Sequence, residues 1–175
     1  TADLDDILAV ARVNMPEAYR YFVFSLWTGC RLTECITFAH QRISWFDKPK
    51  GHLVARARVI GKGRRERPIP LLAEAAEAVG KPKDLGPVFT QVHPNTVSHW
   101  FGKIVKCCGY ENRGYHFHSL RHTAATRMVE KGYPLRVVQK ILGHVDIRTT
   151  QNYADAVDLF IESEMARREI GRAHV

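Results

Sequence analysis

The sequence predicts a mainly α domain that carries a small antiparallel β-sheet. Three observations lead there. Apolar residues recur at helical spacing on both sides of the chain's middle. Between about Ile43 and Leu71 the period drops to two. A Gly61-Lys62-Gly63-Arg64 turn separates two of the resulting strands. The chain has 175 residues, the size of one ordinary domain, and 45% of them are hydrophobic, enough for a real core.

The elements follow in order. Leu4, Ile7, Leu8 and Ala11 mark a first helix, and Glu17 to Trp27 after Pro16 is apolar enough for a buried second helix. Gly29 interrupts that run, and a further helix starts near Thr33. Leu53, Ala55, Ala57 and Val59 then alternate with Val54, Arg56, Arg58 and Ile60, which puts both arginines on one strand face. Arg67 to Leu71 reads as the returning strand, and Pro68 and Pro70 suggest a sheet edge. Leu71 to Val79 reads as helical. Another helix is expected from Asn95 or Thr96 to Cys108. Ser119 is the expected N-cap of a helix through Lys131, closed by Gly132 and Pro134. Leu135, Val138, Ile141 and Leu142 form an apolar stripe ending at Gly143. Asp146 is placed to cap a short helix bearing Tyr153, and 157–175 reads as a C-terminal helical tail.

Lys and Arg number 26 against 18 Asp and Glu, a formal net charge of +8. The charge is clustered: Arg56, Arg58, Lys62, Arg64, Arg65 and Arg67 fall in one segment, which favours a polyanionic partner over a merely solvated surface. No apolar run is long enough to span a membrane, and the N-terminus lacks the pattern of a signal peptide. Cys30, Cys35, Cys107 and Cys108 form no CxxC pair, which suits reduced thiols in a cytoplasmic protein.

Four segments carry candidate chemistry. In His118-Ser119-Leu120-Arg121-His122, His118 and Arg121 share a helix face near a helix start, where backbone N–H groups favour an anion. Leu142-Gly143-His144 is followed nine residues later by Tyr153. Thr28-Gly29-Cys30-Arg31-Leu32-Thr33-Glu34 sets Arg31 at the edge of a buried helix, where its charge needs an anionic partner; Glu34 or a substrate phosphate could supply one. Gly61-Lys62-Gly63 puts a lysine at a hairpin tip. Taken singly, each of these is better read as an ordinary cap, packing or turn residue.

Together, and in this order, the segments resemble the tyrosine recombinases, or phage integrase family, from about Thr28 to Tyr153. The second half is similar to the Xer-like branch and to bacterial and prophage integrases. The resemblance implies a DNA breaking-rejoining catalytic fold with a three-stranded antiparallel sheet. It implies that Tyr153 attacks the scissile phosphate, that Arg31 and Arg121 hold its oxygens, and that His118 moves a proton around the tyrosine. Lys62 would protonate the leaving 5′ oxygen and His144 would bind the phosphate, with Glu34 and His122 in support. Arg56, Arg58, Arg64, Arg65 and Arg67 are the expected DNA contacts. Double-stranded DNA is the implied substrate and a homotetramer on DNA the implied assembly, with no metal, cofactor, membrane or small-molecule substrate. Residues 1–175 would form one catalytic domain, the C-terminal fragment of a longer protein without the family's N-terminal DNA-clamping domain. The departures are small: Cys30 and Thr33 replace residues commoner in the family, and His40 to His52 is longer and more polar, which leaves the sheet register open. A silent DNA-binding module of the same fold is the alternative. A metal-dependent hydrolase built on His116, His118 and His122 fits less well, because no Glu lies between His118 and His122.

Overall fold

The computed structural model describes residues 2–50 and 52–144. These residues fall into two compact units, Thr1–Ala124 and Ala125–Val175, the second described through His144.

The first unit begins with α1 (Ala2–Asn14) and α2 (Pro16–Thr28). Leu4, Ile7 and Ala11 are the buried stripe of α1, as their spacing predicts. The buried face of α2 is broad and aromatic. Phe22 meets Phe101 edge-on at 5.1 Å, and Phe24 lies 4.9 Å from Phe38 and 5.1 Å from Phe89. Tyr21 is buried and donates its hydroxyl to the Thr90 carbonyl, so its polar tip is satisfied. A short α3 (Leu32–Ile36) follows.

The sheet comprises β1 (Ile43–Lys50), β2 (Leu53–Ile60) and β3 (Glu66–Leu72), antiparallel in the order β1-β2-β3. Ala55, Ala57 and Val59 are buried while Arg56 and Arg58 are exposed, the alternation read from the sequence. In β3, Pro68 and Pro70 sit on an edge strand, as their missing N–H groups require. The register left open by the sequence is settled as Ile43↔Ala57 through Trp45↔Ala55. An irregularity between Trp45 and Lys50 absorbs the polar His40 to His52 segment.

Then come α4 (Ala73–Val79), α5 (Pro94–Cys107) and α6 (Phe117–Glu130). Three boundaries differ from the sequence expectation. Leu71 pairs with Ala55 in the sheet, so α4 starts only at Ala73. Helix α5 starts at Pro94, with the His93 Nδ1 accepting from the Asn95 N–H. Ser119 does not precede α6 but lies in its first turn, where its hydroxyl accepts from the His116 N–H at 3.1 Å. The reason is Phe117: its ring packs against Phe22 and Phe101, and this burial fixes the helix start two residues earlier.

In the second unit, α7 (Leu135–Leu142) buries Val138 and Leu142 with Ala125, Met128 and Val129. Gly143, in the left-handed conformation, closes the helix. The expected helix at Asp146, Tyr153 itself and the 157–175 tail lie outside the described residues.

Candidate active site and its family

The end of α2 creates the first part of the site. Gly29 ends the helix with φ 68°, a left-handed conformation that costs glycine nothing. The chain then turns through Cys30 so that Arg31 stands at the start of α3. Glu34, one turn on, accepts from the Arg31 backbone N–H at 2.7 Å and from the Arg31 guanidinium at 3.0 Å. The sequence admitted Glu34 as a partner for Arg31, and the geometry bears that out.

Helix α6 supplies the second part. Phe117 and Leu120 anchor its first turn in the core, and Arg121 follows them inward at 2% exposure. A guanidinium there needs acceptors. One is the Gly29 carbonyl, left free by the end of α2, which receives the Arg121 Nη1. So a single glycine both releases the chain towards Arg31 and holds Arg121. Burial, followed by the nearby Arg31 charge, pulls Arg121 down to about 10. Two cations this close favour an anion between them. His118 and His122 remain exposed on the same helix, rings 4.7 Å apart. Partial desolvation, then His122, Arg121, His116 and Arg31, lower the His118 pKa, which favours the neutral imidazole at pH 7.

The hairpin supplies the third part. Lys62 opens the turn Lys62–Arg64, closed by the Gly61 N–H bonding the Arg65 carbonyl at 2.9 Å. Gly63 (φ 73°) and Arg64 (φ 59°) are both left-handed, and the glycine makes this feasible. The base of the turn packs on Glu34: a Cβ at Gly61 would lie 3.2 Å from Glu34 Oε1 and 3.5 Å from Arg67 Nη1. Gly61→Ala is therefore expected to cost about 1–2 kcal/mol, because overpacking a fixed neighbour costs that much. Urea unfolding measures it, and an unchanged midpoint would contradict the tight packing.

Arg67, expected from its charge to contact DNA, is instead buried, 8% exposed, with both terminal nitrogens 2.7 Å from the two Glu34 oxygens. The physical reason is strand phase. Arg67 opposes Val59 as Ile69 opposes Ala57 and Leu71 nears Ala55, so it points to the core. The period of two in Arg67, Ile69 and Leu71 was visible in the sequence, but the residue's charge outweighed it. Burial would raise the Glu34 carboxyl; the Arg67 bonds and charge, then the Arg31 N–H and charge, outweigh it and hold Glu34 below the usual carboxylate range.

Arg31, Glu34, Arg67, His118, Arg121 and His122 thus lie in one unit, with the Lys62 turn against Glu34. Arg56, Arg58, Arg64 and Arg65 are exposed on the sheet and its turn. Arg56 lies over the Phe46 ring at 5.8 Å. His144 belongs to the second unit, its N–H bonding the Gln139 carbonyl at 3.1 Å. Sequence reasoning missed Arg42, which with Arg31, Thr33 and Gly61 lines an open groove. Among the described residues, no group of three or more His, Cys, Asp or Glu side chains is disposed to hold a metal ion, His116, His118 and His122 included.

A site that combines Arg31 at the start of α3 with Arg121 and two histidines on α6 is accompanied by a match over nearly the whole chain: the model of the Phage integrase family fits residues 2–158. The chain belongs to the phage integrase family. It is 40% identical over 108 residues to a tyrosine recombinase of Pseudothermotoga lettingae, covering 57% of this chain and 37% of that protein. It is 35% identical over 144 residues to the tyrosine recombinase XerD of Staphylococcus epidermidis, covering 72% and 45%. The chain therefore spans less than half the length of these relatives. Among solved structures it is similar in fold to the XerH recombinase bound to its difH substrate in a post-cleavage complex. There the TM-score is 0.76 at 19% identity, over 97% of this chain and 52% of that one. It is also similar to the catalytic domain of bacteriophage HP1 integrase, with TM-score 0.69 at 24% identity, over 88% and 84%. The mainly helical fold with a three-stranded antiparallel sheet is thus that of the family's catalytic domains.

Proposed function

We propose that this chain is the catalytic part of a site-specific recombinase that breaks and rejoins duplex DNA through a phosphotyrosyl bond. The observation that carries this is the Arg31–Glu34–Arg121 arrangement. One buried and one half-exposed guanidinium lie near enough to His118 to lower its pKa, a set of groups suited to a phosphodiester. Tyr153 is the nucleophile. Arg31 and Arg121 offset the charge that builds on the non-bridging oxygens, and His118 takes the phenolic proton. Lys62 gives a proton to the departing 5′ oxygen, and His144 hydrogen-bonds the phosphate. The phenol loses its proton and gains the phosphorus, while the 5′ oxygen gains a proton and leaves. The energy of the broken phosphodiester stays in the phosphotyrosine, so a second 5′-hydroxyl can reseal the strand without ATP. Assembly as a tetramer on DNA follows the same reading.

The test is a suicide duplex, nicked so that the cleaved 5′ fragment diffuses away. A protein–DNA adduct resistant to denaturant supports the reading, and its absence on every such duplex carrying the correct site overturns it.

Arg56, Arg58, Arg64 and Arg65 are assigned to the DNA backbone. Each Ala substitution at Arg56 or Arg58 is expected to reduce the slope of log K against log salt by about 1. Affinity should fall evenly across sequences. An unchanged salt slope in the double variant would remove this face from the interface.

A further inference from the structure

We propose that Arg67, a residue outside the phosphate-binding set, is a positioning residue for Arg31, acting through the Glu34 carboxylate. The proposal rests on the recombinase reading above.

The Glu34 carboxylate has about four acceptor directions. All four are used: Arg67 Nη1 and Arg31 Nη1 reach Oε1 at 2.7 and 3.0 Å, while Arg67 Nη2 and the Arg31 backbone N–H reach Oε2 at 2.7 Å each. The two Arg67 bonds are parallel, a fork meeting a fork, so they fix the plane of the carboxylate as well as its place. That plane sets the direction of Oε1, and with it the direction in which Arg31 Nη1 is drawn. The Glu34 side chain is 2% exposed and that of Arg67 is 9% exposed, so neither can relax into water. The Arg31 side chain is 37% exposed and gives one terminal nitrogen to Glu34, leaving the rest of its fork for a ligand. Without Arg67, Glu34 would be a buried carboxylate held from one side only. It could then rotate or draw Arg31 in towards itself, away from the phosphate.

A structural ion pair and a positioning pair predict different things, and the substrate can separate them. A methylphosphonate at the scissile position has a methyl group in place of one charged oxygen. It is therefore neutral in the ground state and carries one negative charge fewer in the transition state, which lessens the need for Arg31. Strand cleavage by the whole protein is measured on phosphodiester and methylphosphonate duplexes for wild type, Arg67→Met and Arg67→Lys, with thermal unfolding and duplex affinity followed in parallel. Arg67→Met is expected to slow phosphodiester cleavage roughly 10²-fold, the scale of one lost transition-state donor. It should stay within about threefold of wild type on methylphosphonate, with affinity unchanged to about the same extent. Arg67→Lys keeps the charge but loses the fork; it should show the same split, about tenfold on phosphodiester. If Arg67→Met does not fold, Arg67→Lys alone decides. Wild-type rates on phosphodiester, or an equal loss on both substrates, would overturn the proposal and leave the recombinase reading intact. A wild-type protein that cleaves neither substrate would overturn that reading and this proposal with it.

Discussion

Replacing Tyr153 by Phe is expected to eliminate the covalent adduct on a suicide duplex, a loss of at least about 10⁴-fold, while duplex affinity stays within about twofold. The change removes one oxygen and keeps the ring, so packing and charge at pH 7 are both preserved. What disappears is the oxygen proposed to bond to phosphorus. A free phenol has a pKa near ~10 and is a poor nucleophile at neutral pH, so activity depends on its surroundings to take the proton and spread the charge. In the proposed mechanism, two guanidiniums and His118, whose pKa is lowered, would supply that help from residues of the protein itself. For that reason the wild-type adduct should form equally well in excess EDTA. Adduct formation by the Phe variant would sink the assignment of Tyr153. Loss of wild-type activity in EDTA would show that a metal ion takes part.

Glu34→Ala carries the largest expected effect on stability, about 3–5 kcal/mol, because it leaves the buried Arg67 charge without its partner. The Arg31 side of the network adds little, since that side chain is more than a third exposed and solvent screens it. For a chain of this size the melting temperature should drop by roughly 6–20 °C. The sign of the pH dependence follows from the direction of the Glu34 shift. Its folded pKa lies below its unfolded value, so its contribution is complete above about pH 4.3 and is lost as pH falls through the folded value. Wild type should therefore lose more stability than Glu34→Ala between pH 7 and acid conditions. Denaturant unfolding at both pH values checks this. A variant within about 1 kcal/mol of wild type at pH 7 would show that the buried pair is replaceable.

Much of this molecule was legible as pattern. The helical spacing of Leu4, Ile7 and Ala11, and the alternation of Ala55, Ala57 and Val59 with Arg56 and Arg58, are local, and local periodicity reports which face a core must cover. The ordered segments around Arg31, Lys62, His118, Arg121, His144 and Tyr153 carried the family, because chemistry fixes residue types and the fold fixes their order. Boundaries were less legible. Leu71 suited a helix as well as a strand, and only its pairing with Ala55 settled it. Likewise, the start of α6 depended on Phe22 and Phe101, which are distant in sequence from Phe117.

The sequence by itself determined the family and that a helical domain with one small sheet would form. Only the tertiary structure decided which charges face outward and which are structural. Arg56, Arg58 and Arg67 look alike as letters, yet two are exposed and the third is locked to Glu34. A charge's role depends on what lies opposite it, and Glu34 comes opposite Arg67 only when residues 33 positions apart are folded together.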